Sequence, residues 1–375
     1  MLLVLLLLFL YPYAIYPAVL WCIVRLRAKR EDTPQAPSEY PSVAMVICAL
    51  NEERVIGAKL MSSLSLEYPR DKLRIVVVSD GSTDGTVDVV RQYTGARIEL
   101  INQPVRRGKI ANLNEVVPRR SEELIVLSDA NVMYFPDALT KMVPHFKDPS
   151  VGCVSGKVML VDSVSALDEP TESYYSLEWF LQAGASSIYS MAGADGAMYA
   201  LRREVFRPCP TDTLIEDMVI PMGVIRQGKR VIHEPDAVAW ERGPASLREE
   251  FRRKVRIAAG AAQGLVRGNT WPTISAPLRF WFVFISHKLL RWLSPLVGVG
   301  IIICALTRLE QSAAVITLVA MFGVSTLALL QLLSGWQSRL LSIPFYFLFG
   351  QIAVGWGLLR GIAGQQTVLW AKENR

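Results

Sequence analysis

The 375-residue chain reads as an α/β domain set between membrane segments, and three observations predict it. Short apolar runs alternate with helix-compatible stretches over residues 42–242, the pattern of a mainly parallel sheet covered on both faces. Acidic residues follow several of those runs directly, where open α/β sheets place their ligands. The flanking regions are apolar enough to bring the composition to 51% hydrophobic, and the mean hydropathy of +0.28 is too high for a purely soluble protein.

Residues 1–24 are almost wholly apolar and as a helix would run about 36 Å, enough to cross a bilayer. Arg25, Arg27, Lys29 and Arg30 follow, so the positive-inside rule directs this anchor from outside to inside and the next domain to the cytosol. A cleaved signal peptide is disfavoured because neither a basic n-region nor a small-x-small site is present. Residues 25–41 form a basic flank and a linker with Pro34, Pro37 and Pro41.

Within residues 42–242, strands are expected at 43–50, 74–79, 97–101, 123–128 and 151–161. Helices are expected at 53–66, 86–93, 110–117 and 137–146, with a further helix opened by Glu216 and Asp217. The organising stretch is 123–131, a buried strand that stops at Ser128-Asp129-Ala130-Asn131. Residues 243–275 contain an amphipathic helix at 246–267. Phe251, Val255, Ala258, Ala262 and Leu265 share one face, Arg252, Arg253 and Arg256 point away, and the helix is read as interfacial. Residues 276–364 hold about three spans, near 289–306, 313–333 and 343–361, and 365–375 is a polar tail. Arg279, His287, Lys288 and Arg291 are placed at the cytosolic interface, where basic side chains snorkel.

Several functions are excluded. His145, His233 and His287 are scattered without an HExxH motif, and the Cys residues at 22, 48, 153, 209 and 304 form no CxxC. They read as reduced packing residues facing a reducing compartment. Lys109 opens a helix, a place suited to anions, yet Gln103 and Ile110 break a P-loop, and no GxGxxG follows a strand. A nucleic-acid partner is not expected. One carboxylate for a hard cation, a lysine for phosphate and a second acidic pair for a base point instead to nucleotide-diphosphate chemistry. Mg²⁺ or Mn²⁺ needs only one or two protein oxygens beside substrate phosphates, and Asp129 with Asn131 would suffice.

The ordered set Asn51-Glu52-Glu53, Asp80-Gly81-Ser82, Gly108-Lys109, Asp129-Ala130-Asn131, 193–196 and Glu216-Asp217 resembles the family-2 glycosyltransferases of the cellulose, chitin and hyaluronan synthase superfamily. The resemblance covers about residues 43–264 and implies a GT-A fold with inversion by direct displacement. It implies that Asn51, Glu52, Asp80, Ser82, Lys109, Asp129, Arg253 and Arg256 bind a UDP-sugar, that Asp129 and Asn131 form a DxD-like metal motif, and that Asp217 is the general base. It places Asp195, Gly196 and Glu216 at the acceptor, which would be a glycan or a lipid, and implies a role in cell-surface polysaccharide synthesis at the inner or plasma membrane. In the family's Gln-x-x-Arg-Trp motif only Arg256 matches. Ile257 offers no stacking face, which speaks against long-chain processive synthesis and toward a lipid acceptor. Trp370, Lys372 and Arg375 are similar to a gating loop that must be cytosolic, whereas one span before and three after the domain would put the tail outside. A non-catalytic nucleotide-binding scaffold or export pore should lack one of the chemical residues, and Asp80, Asp129, Asp217 and Arg256 are all present.

Overall fold

A computed structural model describes residues 1–27, 37–95, 97–161, 169–334 and 339–368. The Lys29–Arg30 end of the basic cluster, residues 31–36 of the linker, and Trp370, Lys372 and Arg375 lie outside the described residues.

The chain enters through α1 (Leu2–Leu10) and α2 (Tyr16–Arg27), joined by a wide turn of π-helix. The α/β domain then runs β1 (Val43–Ala49), α3 (Glu53–Leu64), β2 (Leu73–Asp80), α4 (Thr86–Arg91), β3 (Ile98–Gln103), α5 (Lys109–Val116), β4 (Leu124–Asp129), β5 (Met133–Tyr134), α6 (Ala138–Met142), β6 (Val151–Val161), α7 (Glu169–Ile188), β7 (Met198–Arg202), α8 (Glu216–Arg226) and β8 (Arg230–Arg242). All eight strands join one sheet in the order β3-β2-β1-β4-β7-β6-β8-β5. The β3-β2-β1-β4 half is parallel, as the alternation of strands and helices predicts. Beyond it β7 is antiparallel to both β4 and β6, β8 runs parallel to β6, and β5 pairs antiparallel with β8.

Successive strand residues face opposite sides, so a strand apolar throughout fills two cores. Val43, Met45 and Ile47 of β1 pack with Ile56 and Leu60 of α3. Ala44 and Val46 pack on the other side with Ile110 and Leu113 of α5 and Met218 and Met222 of α8.

After the sheet come α9 (Leu247–Arg267), α10 (Leu278–Val283), α11 (Leu290–Leu306), α12 (Ser312–Ser334) and α13 (Arg339–Ile362). Four helical runs among the described residues are long and apolar enough to cross a membrane: Leu2–Leu26, Leu278–Leu306, Ser312–Leu333 and Leu341–Ile362. Leu2, Leu5 and Phe9 of α1 meet Ile301, Gly300 and Gly298 of α11, an antiparallel pairing.

Two sequence expectations change here. The basic residues of 276–292 find partners within the protein. Glu178 on α7 takes the His287 ring at 3.0 Å, Lys288 at 3.6 Å and Arg291 at 2.6 Å, while the Arg279 guanidinium lies 4.5 Å from the Tyr189 ring centre. A largely buried carboxylate and an aromatic face supply the partners these cations need, so the helical run 278–306 is bolted to α7 and its end. Nor do all three arginines of α9 point away: Arg256 reaches back to the Leu214 carbonyl at 2.9 Å. The apolar face of α9 packs against α13. Gly357 and Gly361 permit this, since a Cβ on Gly357 would lie 2.4 Å from the Val255 carbonyl oxygen and one on Gly361 2.3 Å from that of Ala259.

Candidate active site

The parallel register brings the carboxyl ends of β1, β2 and β4 to one edge. Cys48 is level with Asp129, and Ala49 with Ser79, the residue before Asp80. Two loops leaving this edge are stitched together. Asn51 sits at φ 57°, which asparagine tolerates better than most side chains, and its Oδ1 accepts from the Thr83 amide at 2.7 Å. The Asn51 amide donates to Ser82 Oγ at 3.1 Å, and the Glu52 amide to Thr86 Oγ1 at 2.8 Å. Asp80 is buried and accepts from the Arg107 amide at 2.7 Å, the Gly108 amide at 2.9 Å and Asn112 Nδ2 at 2.9 Å. It therefore anchors the loop that delivers Lys109 to the edge.

Lys109 is the hub. Its ammonium donates to Asp129 Oδ1 at 2.7 Å and pairs with Glu216 Oε1 at 2.5 Å. Burial works against its charge, but the Asp129 and Glu216 carboxylates outweigh it and hold the lysine well above its ordinary range. Asp217 follows Glu216 in the first turn of α8, about 100° further round the helix. Burial, reinforced by the Glu216 carboxylate, pushes Asp217 up to about 6, while Lys109 and Arg256 pull the other way. Gly196 lies against this carboxylate: a Cβ there would stand 2.9 Å from Asp217 Oδ2. Next to it, Asp195 caps its own turn through the Ala197 amide at 3.1 Å. Burial and the Glu241 carboxylate push Asp195 up to about 7, with Asp217 adding to the effect. Asn131 Nδ2 donates to Glu241 Oε2 at 3.0 Å.

The segment before α8 is held by α9. The Leu214 amide donates to Gln263 Oε1 at 3.1 Å, Gln263 Nε2 donates to the Asp212 carbonyl at 2.9 Å, and Arg267 pairs with the Asp212 carboxylate through both nitrogens, at 2.8 and 2.6 Å. With Arg256 on the Leu214 carbonyl, these contacts make α9 the clamp that sets where Glu216 and Asp217 stand. Arg253 is within electrostatic reach of Asp195 and lies 4.0 Å from Glu250. Ile257 is exposed and aliphatic.

Asp129 fits a hard cation. Its side chain is 39% exposed at the strand end, and no cluster of three or more His, Cys, Asp or Glu side chains among the described residues forms a closed metal cage. An open carboxylate with a neutral amide two residues on is the donor set of a cation that takes its remaining ligands from substrate phosphates and water.

The structure thus brings Lys109, Asp129, Asn131, Asp195, Gly196, Glu216 and Asp217 into one cluster, with Arg253 and Arg256 on the helix beside it and Asn51, Glu52, Asp80 and Ser82 in the adjoining loops. Sequence reasoning missed Glu241, Gln263 and Arg267. Glu241 stands near the end of β8, so the same strand-end rule that singled out Asp129 would have found it had β8 been recognised.

Comparison with known proteins agrees with this geometry. The sequence profile described as glycosyltransferase-like family 2 matches residues 41–260. The poly-beta-1,6-N-acetyl-D-glucosamine synthase of Staphylococcus epidermidis is 24% identical over 284 residues, covering 74% of this chain and 67% of the relative. The probable glycosyltransferase YdaM of Bacillus subtilis is 26% identical over 239 residues, covering 59% of this chain and 56% of the relative. Among solved structures, the mannosyltransferase PcManGT from Pyrobaculum calidifontis, in complex with GDP-Man and Mn²⁺, superposes with a TM-score of 0.74. It is 23% identical and covers 97% of this chain and 99% of its own, which shows a shared GT-A-type fold.

Proposed function

The chain belongs to the glycosyltransferase-like family 2, and from that premise we propose that it transfers a sugar from a UDP-sugar to a glycan acceptor with inversion at the anomeric carbon. The observation that carries this is the placement of Asp217: a carboxylate raised to about 6 beside the Lys109–Asp129 ion pair. At neutral pH it is mostly ionised yet basic enough to accept a proton. The acceptor hydroxyl gives its proton to Asp217 as its oxygen bonds the anomeric carbon and the bond to the diphosphate breaks. Lys109, with Arg253 and Arg256 nearby, offsets the charge that grows on the departing diphosphate. Asp80 holds the Lys109 loop in register, and Asn51, Glu52 and Ser82 shape the nucleotide end. Asp129 and Asn131 are the residues to hold Mg²⁺ or Mn²⁺, which when bound adds Lewis-acid stabilisation of the diphosphate. Mn²⁺ in the solved mannosyltransferase supports that reading.

The N-acetylglucosamine polymer synthases among the relatives support a glycan acceptor and polysaccharide synthesis. A lipid-linked acceptor is the second reading, favoured by the aliphatic Ile257 where an aromatic platform would serve a sugar. The run of Arg25, Arg27, Lys29 and Arg30 in the sequence supports a cytosolic α/β domain by the positive-inside rule.

Packing supports a membrane arrangement with fewer crossings than the three candidate spans after the domain. α11 leads away from the domain and α12 returns, so α13 starts on the domain's side. α13 also ends there, because Gly361 lies on Ala259 and Ala262 of α9, whose neighbouring Gly260 lies on Leu214 and Ile215. On this reading α13, though long and apolar enough to span, lies along α9 without crossing. Two spans then follow the domain, and residues 363–368 are cytosolic.

The donor test uses the full chain in bilayer discs with Mn²⁺ and, in turn, UDP-N-acetylglucosamine, UDP-glucose, UDP-glucuronate and GDP-mannose. UDP release from one UDP-sugar, with an inverted product by mass spectrometry and NMR, is expected. Turnover of GDP-mannose alone would overturn the uridine assignment, and a retained anomeric configuration would overturn direct displacement.

A further inference from the structure

Away from the sugar-transfer centre, α9, α12 and α13 frame an open groove of about 870 Å³, within the size range of small-ligand sites. Its walls are apolar: Phe251 from α9, Leu329 from α12, and Phe345 and Phe349 from α13. The rings form a continuous surface, with centroids 5.5 Å apart for Phe251 and Phe349 and 5.8 Å for Phe345 and Phe349. The lip is different. Arg248 and Arg252, one helical turn apart on α9, line the same groove and are exposed. Neither has an ion-pair or hydrogen-bond partner among the described residues. The acids near them are already engaged: Glu249 Oε2 accepts from the Ala245 amide at 2.9 Å and Glu250 pairs with Lys254 at 2.9 Å.

We propose that this groove binds an anionic phospholipid of the bilayer, its acyl chain against Phe251, Phe345, Phe349 and Leu329 and its phosphate between Arg248 and Arg252. The chemistry selects the occupant. A free phosphate would leave the apolar walls uncovered, and a peptide or sugar chain would bury polar groups against walls that offer them few partners. A lipid meets both demands, because two guanidinium groups suit a phosphate and the phenyl rings suit a hydrocarbon tail. The place agrees too: Leu329, Leu330, Leu332 and Leu333 of α12 are exposed at the end of that span, continuous with the groove. The bound lipid would fix the start of α9, the helix whose later turns clamp the Asp217 segment. This site does not depend on which donor or acceptor the enzyme uses.

The test is native mass spectrometry of the full chain released from discs of mixed phosphatidylcholine and phosphatidylglycerol. The wild type should retain phosphatidylglycerol. The double variant Arg248→Gln/Arg252→Gln should retain less by on the order of tenfold, since each basic residue at an anionic surface contributes about a factor of several. Ser325→Phe, which fills the groove from α12, should lower retention of both lipids, with thermal unfolding confirming that each variant folds. Equal phosphatidylglycerol retention in the wild type and the arginine variant would overturn the proposal. So would full retention in Ser325→Phe, displacement of the lipid by inorganic phosphate alone, or a polyprenyl-phosphate acceptor held in preference.

Discussion

Replacing Gly196 with alanine tests how tightly the structure places Asp217. The new methyl carbon would stand 2.9 Å from Asp217 Oδ2, 3.1 Å from its Cβ and 3.3 Å from its Cγ, against an ordinary contact of 3.4 Å or more. The carboxylate must therefore yield by about 0.5 Å, because Gly196 is followed by β7 and cannot easily retreat. A displacement of about 1 Å at a reacting group costs roughly a hundredfold in rate, so a tenfold to hundredfold fall in kcat is expected. Overpacking should lower stability by only about 1–3 kcal/mol, and donor affinity should be kept. Steady-state kinetics, donor binding by calorimetry and a thermal melt separate these effects. An unchanged kcat in a folded variant would refute the claim that Gly196 sets the position of a working base. A loss of donor affinity equal to the loss of rate would place the glycine at the nucleotide instead.

The remaining predictions use the same centre and the topology. The rate should fall with acid around a midpoint near 6, because Asp217 works as a base only when ionised and its pKa is raised to about 6. Glu216→Gln removes a carboxylate that raises that value, so the acidic limb should move to lower pH, and a shift upward or none would contradict the coupling. Asp129→Ala should abolish turnover and weaken Mn²⁺-dependent nucleotide binding, and chelation by EDTA should do the same to the wild type. Unchanged metal-dependent affinity in the variant would put the cation elsewhere. In a Cys22→Ser background, Glu310→Cys should be labelled in intact cells by an impermeant thiol reagent and Ala363→Cys only after lysis. Labelling of both without lysis would show that α13 crosses the membrane.

The strands that build the site were legible because their runs are largely apolar and stop at polar or acidic residues. The runs ending at Ala49, Asp80 and Asp129 are cases in which the local pattern and the final sheet agree. β8 was not legible, since Glu234, Pro235 and Asp236 interrupt it. Only the folded chain offers Glu234 its partners, the ring of His145 and the Asp236 amide. Lys59 makes the same point. A lysine on a helix reads as a solvated face, yet here it is buried behind β4, donating to Ser128 Oγ at 2.7 Å and the Val132 carbonyl at 2.6 Å. Burial lowers its pKa to about 7, even with the Asp129 carboxylate nearby. At the site, the acids could be named from the sequence but not their network. The spacing of Lys109, Asp129 and Glu216 gives no sign that one ammonium bridges both carboxylates, because that depends on where two crossovers return. The clamp of Arg256, Gln263 and Arg267 on residues 212–214 was hidden for the same reason, and with it the packing of α13 along α9.

The most direct measurement is the rate of sugar transfer by Asp217→Asn under saturating donor and metal, set beside its donor affinity. Losing a positioned base costs about 10²–10⁴ in rate. The account predicts a kcat reduced by that order with donor binding and the thermal melt unchanged, and a milder effect from Glu216→Gln. A near-normal kcat in Asp217→Asn would contradict it, and would do so most sharply if Glu216→Gln were the inactive variant.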